Sequence, residues 1–245
     1  MALSTERPTV LITGASAGIG SELVPFFAGT GHNVVLVSHQ KPVLEGIAVA
    51  ARKVFRVDAT AIACDLTEPN GAHALFAELS QRKINVDVLV NNAGFGAYGE
   101  FAASELETEE RIIQANIVAL TVLTKLLLPG MVARGGGRIL NVASTAGFAA
   151  IPLHSVYSAA QAYVLGFSEA LSEELKGTGV TVTSLSPDPL QTEFAESVKF
   201  ENAQSEQKQT MFARFVARTG FRALLRGDRV AAPGWGNLAM ASPIG

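Results

Sequence analysis

The sequence predicts one α/β domain built on a doubly wound parallel sheet with helices on both faces. Short apolar runs such as Thr9–Thr13, Asn33–Val37 and Val86–Val90 alternate with longer segments of helical period, as repeated strand–helix–strand units do. Hydrophobic residues make up 48% of the 245 residues and charged residues 17%, a composition typical of a folded chain with one core. We therefore expect residues 1–245 to form a single domain.

The same alternation continues through the second half of the chain. Helical segments at Glu105–Met131 and Val156–Leu175 precede predicted strands at Arg138–Val142 and Val180–Leu185, and a last short strand is expected at Arg229–Ala232. Because parallel strands need helical crossovers, these segments extend the same sheet.

A more polar helical excursion is predicted between the sixth and last strands, over about residues 193–225. Open α/β sheets bind ligands at the carboxyl ends of their strands, so we expect this segment to form a substrate lid. Four arginines recur there at intervals of four, which favours a solvated helix face over a subunit contact or an anionic substrate: Arg214, Arg218, Arg222 and Arg226.

Charge and cysteine content exclude several classes of function. Nineteen Lys and Arg against 22 Asp and Glu give a formal net charge of −3, which predicts a small-molecule ligand and no nucleic-acid or membrane partner. Cys64 is the only cysteine, so we expect no intramolecular disulfide and a reducing, cytoplasmic location. The four scattered histidines predict no metal site, and neither a signal peptide nor an uninterrupted apolar run of roughly 18 residues is found.

A glycine-rich turn joins the first predicted strand to the first predicted helix, in the segment VLITGASAGIG from Val10 to Gly20. Gly14 permits a tight turn, Gly18 lets backbone amides approach a pyrophosphate, and Gly20 allows the helix to pack closely on the strand. The positive end of the helix dipole also favours an anion there. The turn predicts a dinucleotide site, with a purely structural turn as the alternative.

The spacing Thr-Gly-x-x-x-Gly-x-Gly resembles the short-chain dehydrogenase/reductase family, and further family landmarks follow in order over roughly residues 9–235: Asp65, Asn91-Asn92-Ala93-Gly94, Asn116, Ser144, Tyr157 and Pro187. The resemblance implies a Rossmann-type fold and a nicotinamide cofactor. It implies phosphate contacts at the glycine turn, from Gly14, Ser16, Gly18, Ile19 and Gly20. Adenine contacts are implied at Asp65 and Leu66, and ribose contacts at Asn92, Ala93 and Gly94. Nicotinamide contacts are implied at Pro187, Leu190 and Thr192.

The end of the second predicted strand favours NADP(H) over NAD(H). An Asp at this position would accept both adenosine ribose hydroxyls and favour NAD, but Ser38, His39, Gln40 and Lys41 stand there. No carboxylate would repel a 2′-phosphate, and Lys41 together with His39 would attract one.

Ser144 and Tyr157 predict carbonyl chemistry. Hydride transfer to a carbonyl develops an alkoxide, which needs hydrogen-bond donors and an acid. The resemblance assigns Ser144 to the carbonyl oxygen, Tyr157 to proton transfer and Asn116 to a helix irregularity that positions a water relay. Together with Gln161 these residues form the predicted catalytic set.

The family pattern Tyr-x-x-x-Lys appears here as Tyr157-Ser-Ala-Ala-Gln161. Gln161 lies one helical turn after Tyr157 and can keep a hydrogen bond to the cofactor ribose, but it supplies neither charge nor a titratable proton. An unperturbed tyrosine titrates near 10, so we expect weak turnover and an alkaline optimum for alcohol oxidation. A second departure is Asp188, where the family usually has glycine.

The sequence therefore predicts an NADP(H)-dependent ketone reductase or secondary alcohol dehydrogenase that acts on an apolar small molecule. The alternatives are an enzyme of the same fold with non-redox chemistry, such as isomerisation, dehydration or ring opening, and a catalytically silent nucleotide-binding protein. Four apolar residues are candidates for the substrate pocket: Phe95, Tyr98, Phe148 and Leu153. The resemblance also implies a homodimer or homotetramer that packs through the two long helices.

Overall fold

A seven-stranded parallel sheet lies at the centre of the molecule. The computed structural model describes residues 7–187 and 203–233, and the side chains of residues 203–211 are not described. The spatial order β3-β2-β1-β4-β5-β6-β7 reverses between β1 and β4, which confirms the predicted doubly wound α/β fold. The strands are β1 (Thr9–Thr13), β2 (Asn33–Ser38), β3 (Ala59–Ala63), β4 (Val88–Asn91), β5 (Gly137–Val142), β6 (Val180–Leu185) and β7 (Val230–Ala231).

Helices cover both faces of this sheet. The helices are α1 (Gly18–Gly29), α2 (Lys41–Phe55), α3 (Gly71–Gln81), α4 (Leu106–Ile113), α5 (Leu120–Ala133), α6 (Ser155–Glu174) and α7 (Ala203–Arg226). One apolar core joins α1, α2 and α7 to the sheet, and a second joins α3, α5 and α6 to its other face. Strands buried on both faces explain the continuous apolar runs in the sequence.

The second half of the predicted lid is a core helix. Val216, Ala217, Phe221 and Leu224 of α7 are buried in the core shared with α1, at the spacing of one helical face. Residues 216–224 therefore belong to the core, while residues 193–202 lie outside the described part of the chain, and the lid stays a prediction. The four arginines at intervals of four lie on the other side of the helix and are exposed, as a solvated face requires: Arg214, Arg218, Arg222 and Arg226.

The long helix predicted over Glu105–Met131 consists of α4, a π-helical turn at Gln114–Ala119, and α5. The run Leu106–Ala133 is long and apolar enough to cross a membrane by length and composition alone, and 44% of its most apolar window is buried. This run packs beside α3 and α6 against the sheet, so its buried apolar side chains are part of the core.

A buried polar network ties the sheet to α5 and α6 below the carboxyl ends of the strands. The Asn91 side-chain amide donates to Asn141 Oδ1 at 2.9 Å and to Thr124 Oγ1 at 3.1 Å. Asn141 in turn donates to Ser168 Oγ at 2.9 Å. Because buried hydrogen bonds of this kind are costly to break, they fix the relative positions of these strands and helices.

The first helix begins unusually close to the strand before it. A Cβ atom added at Gly20 would lie 2.2 Å from the Gly14 carbonyl oxygen, a distance that no side chain can occupy. Gly20 therefore allows the approach that the sequence analysis assigned to it.

Alanine at two helical glycines should act in opposite directions. Gly20→Ala forces α1 away from the turn, so we expect it to lower the free energy of unfolding by about 2 kcal/mol. Gly46 in α2 is exposed and a Cβ there meets nothing within 4 Å, so Gly46→Ala should raise stability by roughly 1 kcal/mol. Urea unfolding of both variants measures this, and equal shifts would contradict it.

Candidate active site

A cleft of about 710 Å³ opens at the carboxyl edge of the sheet, where the strand order reverses. Most of the predicted site residues line it: Gly14, Ser16, Gly18, Ile19, Ser38, His39, Asp65, Leu66, Asn92, Ala93, Gly94, Asn116, Ser144, Tyr157, Gln161 and Pro187. Gly20 lies beneath the turn, whereas Leu190, Thr192 and Asp188 fall outside the described residues. The fold thus brings together residues up to 173 positions apart, because parallel strands end at one edge.

The glycine turn has the backbone that a phosphate site needs. Gly14 has φ +63° and Gly18 has φ +55°, a left-handed region that favours glycine. A Cβ at Gly18 would meet nothing within 4 Å, so the backbone is open to a ligand there. Helix α1 begins at Gly18 and Ala17 provides no side-chain cap, which leaves its first amides available to an anion. These residues fit a dinucleotide pyrophosphate.

Asn92 fastens this turn to the loop after β4. Its side-chain amide donates to the carbonyl oxygens of Thr13 and Gly14 at 3.0 and 3.2 Å. Thr13 Oγ1 accepts from the backbone amides of Asn92 and Ala93, both at 3.0 Å. The Asn92 side chain, which the family resemblance places at the ribose, therefore also holds the two cleft-forming loops together.

Asp65 also lines the cleft and is held by its own loop. Its Oδ1 accepts from Thr67 N at 2.9 Å and from Thr67 Oγ1 at 2.7 Å. Burial by itself would raise the pKa of Asp65, but the Thr67 hydrogen bonds and the charges of His39 and Arg111 lower it. Asp65 is therefore an ionised acceptor at the edge of the cleft.

The end of β2 only partly matches the predicted phosphate contacts. Ser38 is buried and its Oγ accepts from Gln40 N at 3.0 Å, and Ser38 and His39 both line the cleft. Lys41 is exposed at the start of α2 and does not line the cleft. Helix α2 begins at Lys41, and the chain leaves the cleft at this point. The position of Lys41 in the sequence did not predict this change in the direction of the chain.

Asn116 lies in the π-helical turn between α4 and α5. Its side-chain Nδ2 donates to the Ile112 and Phe95 carbonyl oxygens, each at 2.9 Å. In a regular α-helix the Ile112 carbonyl oxygen would accept a hydrogen bond from the Asn116 backbone N–H, but here it accepts one from the Asn116 side chain. Such turns are frequent at functional sites, and this turn lies where the family resemblance implied a helix irregularity. A Cβ at Gly94 would lie 2.4 Å from Asn116 Oδ1, so only glycine fits beside it.

The orientation of the Gln161 amide follows from that of Asn116. Because Asn116 Nδ2 donates to two carbonyl oxygens, the Asn116 Oδ1 atom is turned toward Gln161. Gln161 Nε2 therefore faces this oxygen and donates to it at 3.1 Å. Gln161 is 3% exposed and lines the cleft, and its Oε1 has no hydrogen-bond partner among the described residues. A buried amide oxygen of this kind is costly unless a donor reaches it. This chain therefore presents an acceptor where the family has an ammonium group.

Ser144 and Tyr157 approach the cleft from β5 and α6. Ser144 follows the end of β5 and is buried, and its Oγ accepts from Ala146 N at 3.1 Å. This contact occupies a lone pair and leaves the O–H able to donate. Tyr157 lies in the first turn of α6 and is 6% exposed. Both residues line the cleft, as predicted from the position of Ser144 just after the fifth strand and of Tyr157 near the start of the next helix.

Two glycines that the sequence analysis did not single out shape this end of the cleft. A Cβ at Gly96 would lie 2.9 Å from Tyr157 Cγ, and a Cβ at Gly147 would lie 2.7 Å from the Gln161 carbonyl carbon. Both follow a family landmark closely, Gly96 after Asn92-Ala93-Gly94 and Gly147 after Ser144. Their positions next to these landmarks were the only sign in the sequence that they belong to the site. Their contacts with Tyr157 and Gln161 are tertiary and could not be predicted from the sequence.

Apolar side chains lie beside the tyrosine. Phe95 lines the cleft, whereas the other three predicted pocket residues are exposed outside its lining: Tyr98, Phe148 and Leu153. The loops that carry Tyr98 and Leu153 meet through a Gly99 N to Leu153 O hydrogen bond of 2.9 Å. His154 packs between Tyr98 and Tyr157, at ring-centroid distances of 5.0 and 6.2 Å. An apolar surface therefore adjoins the Tyr157 end of the site.

Sequence comparison identifies related proteins. The short chain dehydrogenase family profile matches residues 8–203. The ketoacyl reductase HetN of a Nostoc species is 38% identical over 73% of this chain and 62% of its own length. The very-long-chain 3-oxoacyl-CoA reductase of Bos taurus is 35% identical over 76% of this chain and 60% of its length. The chain thus spans about three fifths of these relatives.

Structural comparison agrees. The short-chain dehydrogenase from Sphingobium yanoikuyae in complex with NADPH is 31% identical, with a TM-score of 0.82 over 95% of this chain and 90% of that chain. The family profile covers most of the chain, and the fold of this chain matches that of the similar structure. This chain belongs to the short-chain dehydrogenase family.

Proposed function

We propose that the protein is a nicotinamide-dependent oxidoreductase that interconverts a ketone and a secondary alcohol. The observation that carries the proposal is the convergence of Ser144 and Tyr157 on a cleft that an uncapped, glycine-rich helix N-terminus also lines. The first pair suits a developing alkoxide, and the helix terminus suits a dinucleotide phosphate.

The residues divide the reaction between them. A bound nicotinamide supplies the hydride for reduction or accepts it in oxidation. Ser144 donates a hydrogen bond to the carbonyl oxygen, and the Tyr157 phenol transfers its proton to the same oxygen as negative charge develops. In the oxidative direction Tyr157 must first lose that proton. Gln161 offers its Oε1 to a ribose hydroxyl but no charge to the phenol.

NADP(H) is the proposed cofactor. Ser38 and His39 form the end of β2 at the cleft, where a carboxylate would be needed to select NAD. The similar Sphingobium protein was solved with NADPH. With Lys41 outside the lining, Ser38 and His39 are the proposed contacts of the 2′-phosphate.

The proposed substrate is an apolar or bulky ketone. The loops beside Tyr157 expose Tyr98, Phe148 and Leu153, and the relatives include reductases named for ketoacyl and long-chain 3-oxoacyl substrates. Another similar structure, 28% identical with a TM-score of 0.81, is a bulky-bulky ketone specific alcohol dehydrogenase from Comamonas testosteroni.

A non-redox reaction is the second candidate, and one observation favours it. Gln161 removes the charge that would help Tyr157 cycle between phenol and phenolate, while the hydroxyl pair remains in place. A reaction that only needs a polarised oxygen, such as isomerisation or dehydration, would use the same residues. Substrate turnover without an absorbance change at 340 nm would identify it.

We also propose a homodimer or homotetramer that packs through the helices on the β4–β5–β6 side. Ile113, Val132 and Tyr163 are between 37 and 41% exposed there, and apolar area left open on a helix pair suits a subunit contact. Analytical ultracentrifugation should give a species of two or four chains. A monomer at micromolar concentration would contradict the proposal.

Cofactor titration tests the main proposal directly. We expect NADPH fluorescence to change on binding, with an affinity at least tenfold tighter than that for NADH. Tyr157→Phe should bind NADPH within twofold of wild type but lose ketone reduction by about 10³-fold, because only proton transfer is removed. Absence of binding for both cofactors would eliminate the oxidoreductase proposal.

Gln161→Lys should increase turnover. The added ammonium lowers the pKa of the neighbouring phenol, so we expect faster alcohol oxidation at pH 7 and a shift of the oxidation optimum toward neutral pH. Gln161→Met is the matched control, since it keeps the length but supplies neither charge nor amide, and it should not gain activity. Steady-state rates between pH 6 and 10 measure both variants. A lysine variant with no gain in either direction would count against the role given to Gln161.

A further inference from the structure

Permanent positive charge is scarce in the cleft. Among residues 7–187 and 212–233, whose side chains are described, Arg111 is the only lysine or arginine that lines it. Gln161 stands where the family has lysine, Ala17 carries no charge in the glycine turn, and Lys41 lies outside the lining. A nicotinamide dinucleotide carries at least two negative charges, so the position of this one guanidinium matters for its binding.

Arg111 reaches the adenine end from the far side of the cleft. It lies in α4, and its Nε donates to Thr67 Oγ1 at 3.3 Å. Thr67 is the residue that holds Asp65, the predicted adenine contact. The side chain therefore bridges two segments that are 44 positions apart in sequence, and it lines the cleft together with Asp65 and Thr67.

Fold stability does not explain this placement. Arg111 is exposed and its one hydrogen bond is long. Its charge helps to lower the pKa of Asp65, but the described residues provide no close ion pair and no second hydrogen bond for its guanidinium. Exposed contacts of this kind contribute little to folding. An adjoining ligand would gain far more, because a guanidinium offers a planar face to an aromatic base and several donors to an anion.

We propose that Arg111 anchors the adenosine half of the cofactor, with its planar group against the adenine base and its charge attracting the phosphates. The inference rests on the proposed function, since it requires a dinucleotide in the cleft. In this proposal the attraction between a charged side chain and the cofactor acts at the adenosine end of the cleft, away from Ser144 and Tyr157.

Arg111→Gln tests the proposal by binding alone. We expect NADPH to bind about tenfold more weakly, with the same loss for adenosine 2′,5′-bisphosphate and a change below twofold for reduced nicotinamide mononucleotide. Arg111→Lys keeps the charge without the planar group and should lie between. Lys125→Gln is the control for net charge, because Lys125 is exposed on α5 and does not line the cleft. Calorimetry and fluorescence at two salt concentrations give the affinities.

The outcomes separate the two proposals. Wild-type protein that binds neither NADPH nor NADH overturns the proposed function and this inference with it. If wild-type protein binds NADPH and Arg111→Gln binds it with the same affinity, the proposed role of Arg111 is overturned but the proposed function is not. An equal loss for NADPH and for the mononucleotide also overturns it, since that pattern reports a general change in the cleft. A weaker salt dependence in Arg111→Gln, confined to the adenosine-containing ligands, supports it.

Discussion

The side-chain amide of Asn116 sets the polarity of the catalytic end of the cleft. Both of its N–H bonds are directed at main-chain carbonyls, so its oxygen can only accept. Gln161 must then donate to it and leaves its own oxygen without a partner. The π-helical turn, the glycine at position 94 and the orientation of the residue one turn after Tyr157 are thus parts of a single arrangement.

The fold could be predicted because its signals are local or ordered along the chain. Apolar runs give the strands, and the glycine turn marks the crossover where the cleft opens. The residues that converge were predictable because parallel strands end at one edge. The side-chain contacts were not, since neither the Gln161–Asn116 bond nor the reach of Arg111 to Thr67 follows from spacing. The regularly spaced arginines predicted the exposed face of α7, whereas its packing against α1 is a tertiary contact that spacing does not give.

Replacement of a lysine by Gln161 changes more than one charge. An ammonium group there would donate to the ribose and favour the phenolate, whereas the observed amide offers an acceptor and no field. In the proposed reaction Ser144 donates a hydrogen bond to the carbonyl oxygen and Tyr157 donates its proton. We therefore expect oxidation to be weakened more than reduction, because only oxidation starts from the ionised phenol.

The distribution of cations separates binding from chemistry. Interactions that are equal in ground and transition states lower KM without raising kcat. The proposed Arg111 anchor at the adenosine end would contribute to binding in this uniform way, because no charge develops there during the reaction. A cation beside Tyr157 would act on the transition state, and Gln161 removes it. On this view the chain keeps the electrostatics that hold a cofactor and has lost those that speed the proton transfer, so affinity and turnover can vary independently in its variants.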